Sequence, residues 1–257
     1  YNDTLRGTAV ANGLAGNYSV GGTGADFVTF AAALQALQTN GVCSPVTFVV
    51  APGTYTFTQN FTLTDLISTD ASRVVTFTSQ AQDSSSVIIA GYDLTLKNCQ
   101  YLVFDQLTFA SNLYFDKGMR NVTIQHCHFS NPQNGFVLFK TVNTPTTGSS
   151  YSYTNNTFSN NRFVNTHITW YGASYFDAGT KFVNNQMTNG YVKVSDQSHF
   201  EFSNNYLYDT LSNVSGTSYH TSFYFLTGPA LISNNKIFSK LTSAMAVTIR
   251  EIQPYTN

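Results

Sequence analysis

The sequence predicts an all-β fold, a parallel β-helix with a short N-terminal capping α-helix. A hexapeptide with a central Asn-Asn pair between apolar residues returns at intervals of 24, 20 and 30 residues, which is typical of a solenoid with one coil per return. Val, Ile, Thr, Phe and Tyr alternate with period two around the repeats, and this pattern indicates strands. Coils wound in one direction align equivalent strands about 4.8 Å apart, so the sheets are expected to be parallel.

The N-terminal part of the chain is expected to lead into the solenoid and to close its first end. Residues 1–24 are rich in glycine and are interpreted as a lead-in segment. Apolar side chains at helical spacing predict the capping helix at about residues 26–38, with Thr29 as its N-cap and Asn40-Gly41 as its stop. The helix is expected to cover strand edges that would otherwise be exposed at this end of the core.

Residues 25–257 are predicted to form a single β-helix domain whose coils span about residues 45–252. The hexapeptide pattern occurs six times, and the two upstream copies replace the asparagines by other residues. The copies are Phe104–Phe109, Ile124–Phe129, Phe158–Phe163, Phe182–Met187, Phe202–Leu207 and Ile232–Ile237. The last residues supply no polar cap for a final coil, so the chain is interpreted as a fragment of a larger protein with further domains.

The asparagine pairs are interpreted as the corners of the coils. Asparagine tolerates the left-handed backbone conformation of a tight corner, and its amide can bond to the equivalent amides above and below it. A catalytic role is not favoured, because a repeated site would imply repeated chemistry. The second asparagines are predicted to form one internal structural ladder, which consists of Asn161, Asn185, Asn205 and Asn235.

The composition excludes several classes of function. Charged residues make up 10% of the chain, with 12 basic and 13 acidic residues, and this balance provides no electrostatic footprint for a nucleic acid. No stretch approaches the ~18 apolar residues of a membrane span. We therefore predict neither a nucleic-acid partner nor a membrane span. The aromatic fraction of 15%, with 16 tyrosines, is typical of secreted carbohydrate-active proteins.

The three cysteines are Cys43, Cys99 and Cys127, and their odd number leaves at least one thiol free. We expect buried free thiols, with a Cys99–Cys127 disulfide as the alternative. None of the cysteines stands in a metal-binding spacing.

A run of His126, Cys127 and His128 invites a metal interpretation. In a strand the two histidines point to one side and the cysteine points away, so the three side chains cannot easily ligate one ion. Asp105, one coil below His126, is the nearest further ligand. No metal site is predicted, and His126, His128 and Asp105 remain its weak candidates.

Two segments near the N-terminus resemble a known superfamily. Ser19–Phe30 and Val46–Tyr55 are similar to the opening of right-handed parallel β-helix domains of the pectin-lyase-like superfamily, particularly those in secreted or surface proteins of Bacteroidetes. The resemblance implies a right-handed β-helix and a secreted or cell-surface location. Members of that superfamily include polysaccharide lyases, glycoside hydrolases, esterases, epimerases, adhesins and phage spikes, so the fold leaves the activity open.

No catalytic signature of these enzymes is matched by the sequence. The opening also resembles that of pectin methylesterases, but the chain has no Gly-x-Val-Asp-Phe run. Polygalacturonase-like hydrolases need clustered carboxylates, whereas the acidic residues here are scattered and include no Asp-Asp pair. A lyase would need a basic residue and neutralisation of a uronate, often by calcium. The weak candidates for that base are Lys193, Arg250 and Lys140, and calcium is considered only for this alternative.

The strand that follows each asparagine pair is expected to carry an outer functional face. If Val192 and Val194 point inward, alternation turns Tyr191 and Lys193 outward. The rings suit a sugar chain, whose C–H faces stack on aromatic side chains. The predicted glycan-binding residues are Tyr114, Asp116, Tyr171, Tyr191 and Tyr224, and the same face carries Lys140, Lys193 and Arg250. The alternative is that these are ordinary solvated strand positions.

Three functions remain open on the sequence. The favoured interpretation is a secreted or cell-surface β-helix domain that binds a polysaccharide or glycan along one outer sheet, without catalysis and without a cofactor. The enzymatic alternative is a polysaccharide lyase acting by proton abstraction from a uronate. The other alternative is a passive structural spacer or adhesin segment.

Overall fold

The computed structural model describes residues 13–66, 68–130, 136–140, 153–171, 177–209, 219–239 and 245–250. They form three sheets, named I, II and III, in which hydrogen-bonded neighbours run parallel. Each coil contributes a strand to sheet I, then to sheet II, then to sheet III. The arrangement confirms the predicted parallel β-helix.

The strands of each sheet follow one another from coil to coil. Sheet I contains β1 (Leu14–Val20), β2 (Val42–Val50), β5 (Val75–Ser79), β8 (Leu102–Asp105), β11 (Thr123–Gln125), β15 (Thr157–Ser159), β18 (Lys181–Val183), β21 (Glu201–Ser203) and β24 (Leu231–Ser233). Sheet II contains β3 (Gly53–Phe57), β6 (Val87–Gly91), β9 (Thr108–Phe109), β12 (His128–Ser130), β16 (Arg162–Val164), β19 (Gln186–Thr188), β22 (Tyr206–Asp209) and β25 (Lys236–Ser239). Sheet III contains β4 (Phe61–Thr64), β7 (Leu94–Gln100), β10 (Leu113–Arg120), β13 (Phe136–Lys140), β17 (His167–Tyr171), β20 (Val192–Ser198), β23 (Tyr219–Thr227) and β26 (Met245–Arg250), and β14 (Tyr153–Thr154) also pairs with β10.

The capping helix α1 spans Phe30–Asn40, which confirms the predicted N-cap at Thr29 and the stop at Asn40-Gly41, although the predicted span of about residues 26–38 began four residues too early. Thr29 is extended, with φ −131° and ψ 158°, and its hydroxyl accepts a hydrogen bond of 3.0 Å from the Ala32 N–H. Ahead of this N-cap, Phe27 is extended because its N–H donates to the Ser19 carbonyl oxygen at 3.0 Å. The predicted helix began too early because Phe27 has helical spacing in the sequence but pairs with β1 in the structure.

The first coils differ from the later ones at their corners. Strand β1 lies within the predicted lead-in segment and pairs with β2, which begins at Val42 rather than near residue 45. Between sheets I and II the first coil turns at residues 51–52, and the second turns through residues 80–86 with a 3₁₀ turn at Ser84–Ser86. These two coils therefore lack the hexapeptide. The described residues contain no helix with the length and apolar character of a membrane span.

The hexapeptide forms the corner between sheets I and II. The first residue of each central pair adopts the left-handed conformation, with φ between 51° and 58°. These residues are Gln106, His126, Asn160, Asn184, Asn204 and Asn234. Asparagine is favoured at most of these corners because its short polar side chain lowers the cost of positive φ.

The second asparagines lie inside the corner and bond to one another from coil to coil. The Asn205 Oδ1 accepts from the Asn185 backbone N–H at 2.9 Å and from the Asn185 Nδ2 at 3.1 Å, while its own Nδ2 donates to the Phe182 carbonyl at 2.9 Å. Equivalent bonds connect the whole series of Asn161, Asn185, Asn205 and Asn235. The asparagine side chains thus provide hydrogen-bond partners for buried backbone groups that have no partner in a sheet at the corner.

The core consists of apolar side chains stacked on their equivalents in the next coil. The rings of Phe158 and Phe182 in sheet I are 4.6 Å apart, and those of Phe129 and Phe163 in sheet II are 4.8 Å apart. Trp170 of sheet III is fully buried, as its inward register predicts. The packed interior fixes which residues of every strand point outward.

A second left-handed corner follows soon after each of the middle asparagine pairs. Asn165 and Asn189 have φ of 50° and 54°, and they separate sheet II from sheet III. The strand directly after an asparagine pair therefore belongs to sheet II. The expectation that Tyr191 and Lys193 lie on that strand was wrong, because Lys193 lies one strand further on, in β20 of sheet III, and Tyr191 immediately precedes that strand.

The three cysteines are free thiols, so the alternative of a Cys99–Cys127 disulfide is not realised. Cys99 and Cys127 are buried, whereas Cys43 is exposed, which corrects the expectation that all three would be buried. Burial raises the pKa of Cys99 and of Cys127 to about 12. Both buried thiols therefore stay protonated and weakly nucleophilic at neutral pH.

We expect a thiol reagent such as DTNB to modify only Cys43 in the native protein and all three cysteines after denaturation. The thiolate is the reactive form, and the buried sulfurs combine a raised pKa with poor access. Counting the released chromophore before and after adding guanidinium measures both values. The variant Cys43→Ser should release none while folded, and rapid native release from that variant would contradict the buried positions of the other two.

Candidate functional site

The outer face of sheet III carries those predicted glycan-binding residues whose side chains the structure describes. In β20, Val192 and Val194 are buried while Lys193 between them is partly exposed. In β10, Leu113 and Phe115 are buried, and Tyr114 and Asp116 are partly exposed. The alternation that was inferred from the sequence therefore gives the orientation of Tyr114, Asp116 and Lys193.

Parallel register aligns these positions in two columns that cross the coils. The first column contains Thr95, Tyr114, Leu138, Thr169, Lys193, Ser222 and Thr248. The second contains Lys97, Asp116 and Lys140, and then Tyr171, Ser195, Tyr224 and Arg250. For Leu138, Lys140, Tyr171, Thr248 and Arg250 the structure describes the backbone position and not the side chain. Neighbouring members of a column are about 4.8 Å apart, as adjacent strands are.

An aromatic and cationic cluster lies in the middle of this face. The rings of His167 and Tyr191 are stacked, with centroids 4.1 Å apart and planes inclined by 15°. The Lys193 Nζ lies 4.8 Å from the centroid of the Tyr191 ring, within the range of a cation–π interaction. The cluster gives Tyr191 a fixed orientation, because its ring is held by both neighbours.

The sequence motifs did not indicate His167. The register could have revealed it, because Ile168 pairs with Val192 and the preceding residues therefore adjoin each other. The sequence motifs did not indicate Lys97 either. It pairs with Asp116 from a coil whose corner lacks the hexapeptide, so the repeat did not place it.

The N-terminal end of the face is more polar. The Asn112 Nδ2 donates to the Asp93 Oδ1 at 2.9 Å, immediately ahead of strands β10 and β7. Burial, and secondly the negative charge of Asp93, raise the pKa of Tyr114. Tyr114 therefore stays a neutral phenol that can both donate and accept a hydrogen bond. Asp116 lies in register between Lys97 and Lys140.

The three candidate lyase bases are distributed along the face. Lys193 lies in the first column, and its register neighbours are the uncharged residues Thr169 and Ser222. Lys140 and Arg250 lie in the second column, each two strands from Lys193, or roughly 10 Å by strand spacing. A spacing of roughly 10 Å can match successive sugar units of a polysaccharide. It does not place two of these backbone positions close to the same reacting carbon atom.

The candidate metal residues occupy the corner between sheets I and II. The His126 Nδ1 is 2.9 Å from the Asp105 Oδ1, and both residues are accessible to solvent. His128 begins strand β12 beyond the corner, and burial together with the charge of Arg162 lowers its pKa. Within the described ranges, no three His, Cys, Asp or Glu side chains are grouped so that they could hold a metal ion.

Comparisons with known proteins give structural similarities only. No protein-family model matches the sequence, and no curated protein matches it. A pectin methylesterase from Aspergillus niger is similar over 92% of this chain and 85% of its own, with 13% identity and a TM-score of 0.45. An alginate lyase from Paenibacillus is similar over 92% of this chain and 99% of its own, with 14% identity and a TM-score of 0.41. Similarities this weak identify no activity, and the β-helix fold rests on the three sheets of the chain itself.

Proposed function

We propose that this domain binds a polysaccharide along the outer face of sheet III, as part of a secreted or cell-surface protein. The observation that supports the proposal is the cluster of His167, Tyr191 and Lys193. The hydroxyl and the edge of the oriented Tyr191 ring can contact a sugar, and the adjacent Lys193 ammonium can bind a hydroxyl or a carboxylate.

The columns extend this contact across several coils. Above and below the cluster, the face offers hydroxyl groups of Tyr114 and Tyr224 at half-buried positions. A sugar chain that crosses the strands meets partly exposed side chains at Tyr114, Lys193 and Tyr224, whereas Thr169, Ser195 and Ser222 on the same face are buried. Several moderate contacts in a line suit an extended polymer better than a small molecule, which needs a deeper cavity.

The proposal is tested by affinity gel electrophoresis in gels that contain neutral or uronate polysaccharides. We expect retention of the native protein by at least one polymer, and an approximately tenfold weaker affinity for the double variant Tyr191→Ala, Lys193→Ala. The loss corresponds to roughly 1.4 kcal/mol, which is the scale of one or two hydrogen bonds to the sugar.

The matched control is the double variant Tyr92→Ala, Lys181→Ala. Tyr92 is exposed in the turn that follows β6, and Lys181 belongs to sheet I, where it pairs with Glu201 at 3.5 Å. This variant should be retained like the native protein. Equal losses in the two variants, or no retention by any polymer, would contradict the proposal. If the protein releases unsaturated sugars from a uronate polymer, the proposal of binding without catalysis would be replaced by the lyase alternative.

A further inference from the structure

The outer face of sheet II carries a second group of exposed residues, which we call the sheet II platform. Its strands alternate like those of sheet III, with Phe163, Met187 and Leu207 in the core. The register aligns the outward residues of four successive coils. The platform consists of Arg162, Gln186, Tyr206, Tyr208, Lys236 and Phe238.

The aromatic part of the platform is continuous. Tyr206 and Tyr208 have ring centroids 6.5 Å apart with planes inclined by 20°, and the Phe238 ring is 5.8 Å from Tyr206. The three residues are exposed by 39%, 36% and 51%, respectively, although rings of this size are usually buried more fully. Three adjoining rings on a rigid sheet form a surface on which sugar rings can stack.

The charged part of the platform has one sign. Arg162, Gln186, Tyr206 and Lys236 form one column, so the two cations are three strand intervals apart, or roughly 14 Å. Neither cation forms an ion pair with any residue whose side chain is described. The outward side chains described in sheet II include no carboxylate.

Charge complementarity therefore favours an anionic ligand, and the rings favour a sugar. We propose that the sheet II platform is a second binding surface, separate from the face of sheet III, for a polysaccharide that contains uronic acid. The carboxylates bind Arg162 and Lys236, the sugar rings stack on Tyr206 and Phe238, and the Gln186 amide bonds to hydroxyl groups. A nucleic acid is less well matched, because two cations on a chain of net charge −1 neutralise few phosphates.

The test compares polygalacturonate with its methyl-esterified form, which has the same backbone without the charge. We expect the variant Arg162→Gln, Lys236→Gln to bind polygalacturonate about tenfold more weakly, with a smaller dependence on salt, and to bind the esterified polymer unchanged. The variant Tyr206→Ala, Phe238→Ala should lose affinity for both polymers. Calorimetric titration of the full chain measures all of these affinities.

Two controls separate this proposal from the binding face of sheet III. Lys181→Gln removes a cation from sheet I and should leave both affinities unchanged, whereas Tyr191→Ala, Lys193→Ala should weaken binding further when combined with the platform variants. An unchanged affinity of the Arg162→Gln, Lys236→Gln variant for polygalacturonate would overturn the proposal. Tighter binding of single-stranded DNA than of polygalacturonate would also overturn it, as would sedimentation of a dimer that Tyr206→Ala dissociates.

Discussion

Replacement of Phe182 by alanine is expected to lower the free energy of unfolding by about 3–5 kcal/mol. The Phe182 ring is 1% exposed, stacks on Phe158 at 4.6 Å and meets the edge of Trp170 at 6.2 Å. Its loss removes the transfer energy of a buried ring and leaves a cavity, which the stacked coils above and below cannot fill because the sheets fix their spacing. Urea denaturation followed by circular dichroism measures the change as a lower midpoint.

The matched control for Phe182 is Leu231→Ala on the same sheet. Leu231 is 52% exposed, so its truncation should change the unfolding free energy by less than about 0.5 kcal/mol. A loss below about 1 kcal/mol for Phe182→Ala would mean that the stack is not closely packed. Similar losses in both variants would show that the inward register of sheet I is wrong.

Replacement of Asn205 by alanine is expected to lower the free energy of unfolding by about 2–4 kcal/mol, because it removes buried hydrogen bonds. The Asn205 Oδ1 accepts from the backbone N–H and from the Nδ2 of Asn185, and its Nδ2 donates to the Phe182 carbonyl. Alanine leaves these buried groups without a partner, and each such group costs about 1–3 kcal/mol. Thermal and urea denaturation of the same variant measure the loss by two methods.

The neighbouring residue provides the control for Asn205. Asn204 is exposed and left-handed, with φ of 56°, so Asn204→Gly should change the stability by less than about 0.5 kcal/mol. The same glycine at Asn205 should cost as much as alanine does. In each pair the first asparagine adopts the left-handed conformation and the second forms the buried hydrogen bonds. Equal losses of stability at the two positions would contradict these separate roles.

Much of the architecture could be predicted because the signals are local and repeated. A hexapeptide with two asparagines combines a backbone preference with apolar residues at both ends, and four copies such as Phe182–Met187 fix a register. Val192 and Val194 do point inward, as was assumed when Tyr191 and Lys193 were predicted to point outward. The helix stop at Gly41 was also predicted, because glycine has a clear conformational preference there.

The remaining features depend on contacts that no local pattern contains. Phe27 has helical spacing but pairs with β1, and only the tertiary structure decides between the two. The corner at Asn165 is a single left-handed residue that follows the three-residue strand β16. In the sequence, the strands on either side of this corner therefore looked like one continuous strand. The sheet II platform was missed for this reason, since its residues were not recognised as a separate outer face.

Polysaccharide binding along the outer face of sheet III would be observed in a crystal structure with a bound oligosaccharide. The oligosaccharide should be derived from whichever polymer retains the native protein in affinity gels. We predict a sugar in contact with the Tyr191 hydroxyl, with a hydroxyl or carboxylate of the sugar near the Lys193 Nζ and with the chain running across the strands of sheet III. An oligosaccharide that contacts no residue of sheet III would contradict this proposal.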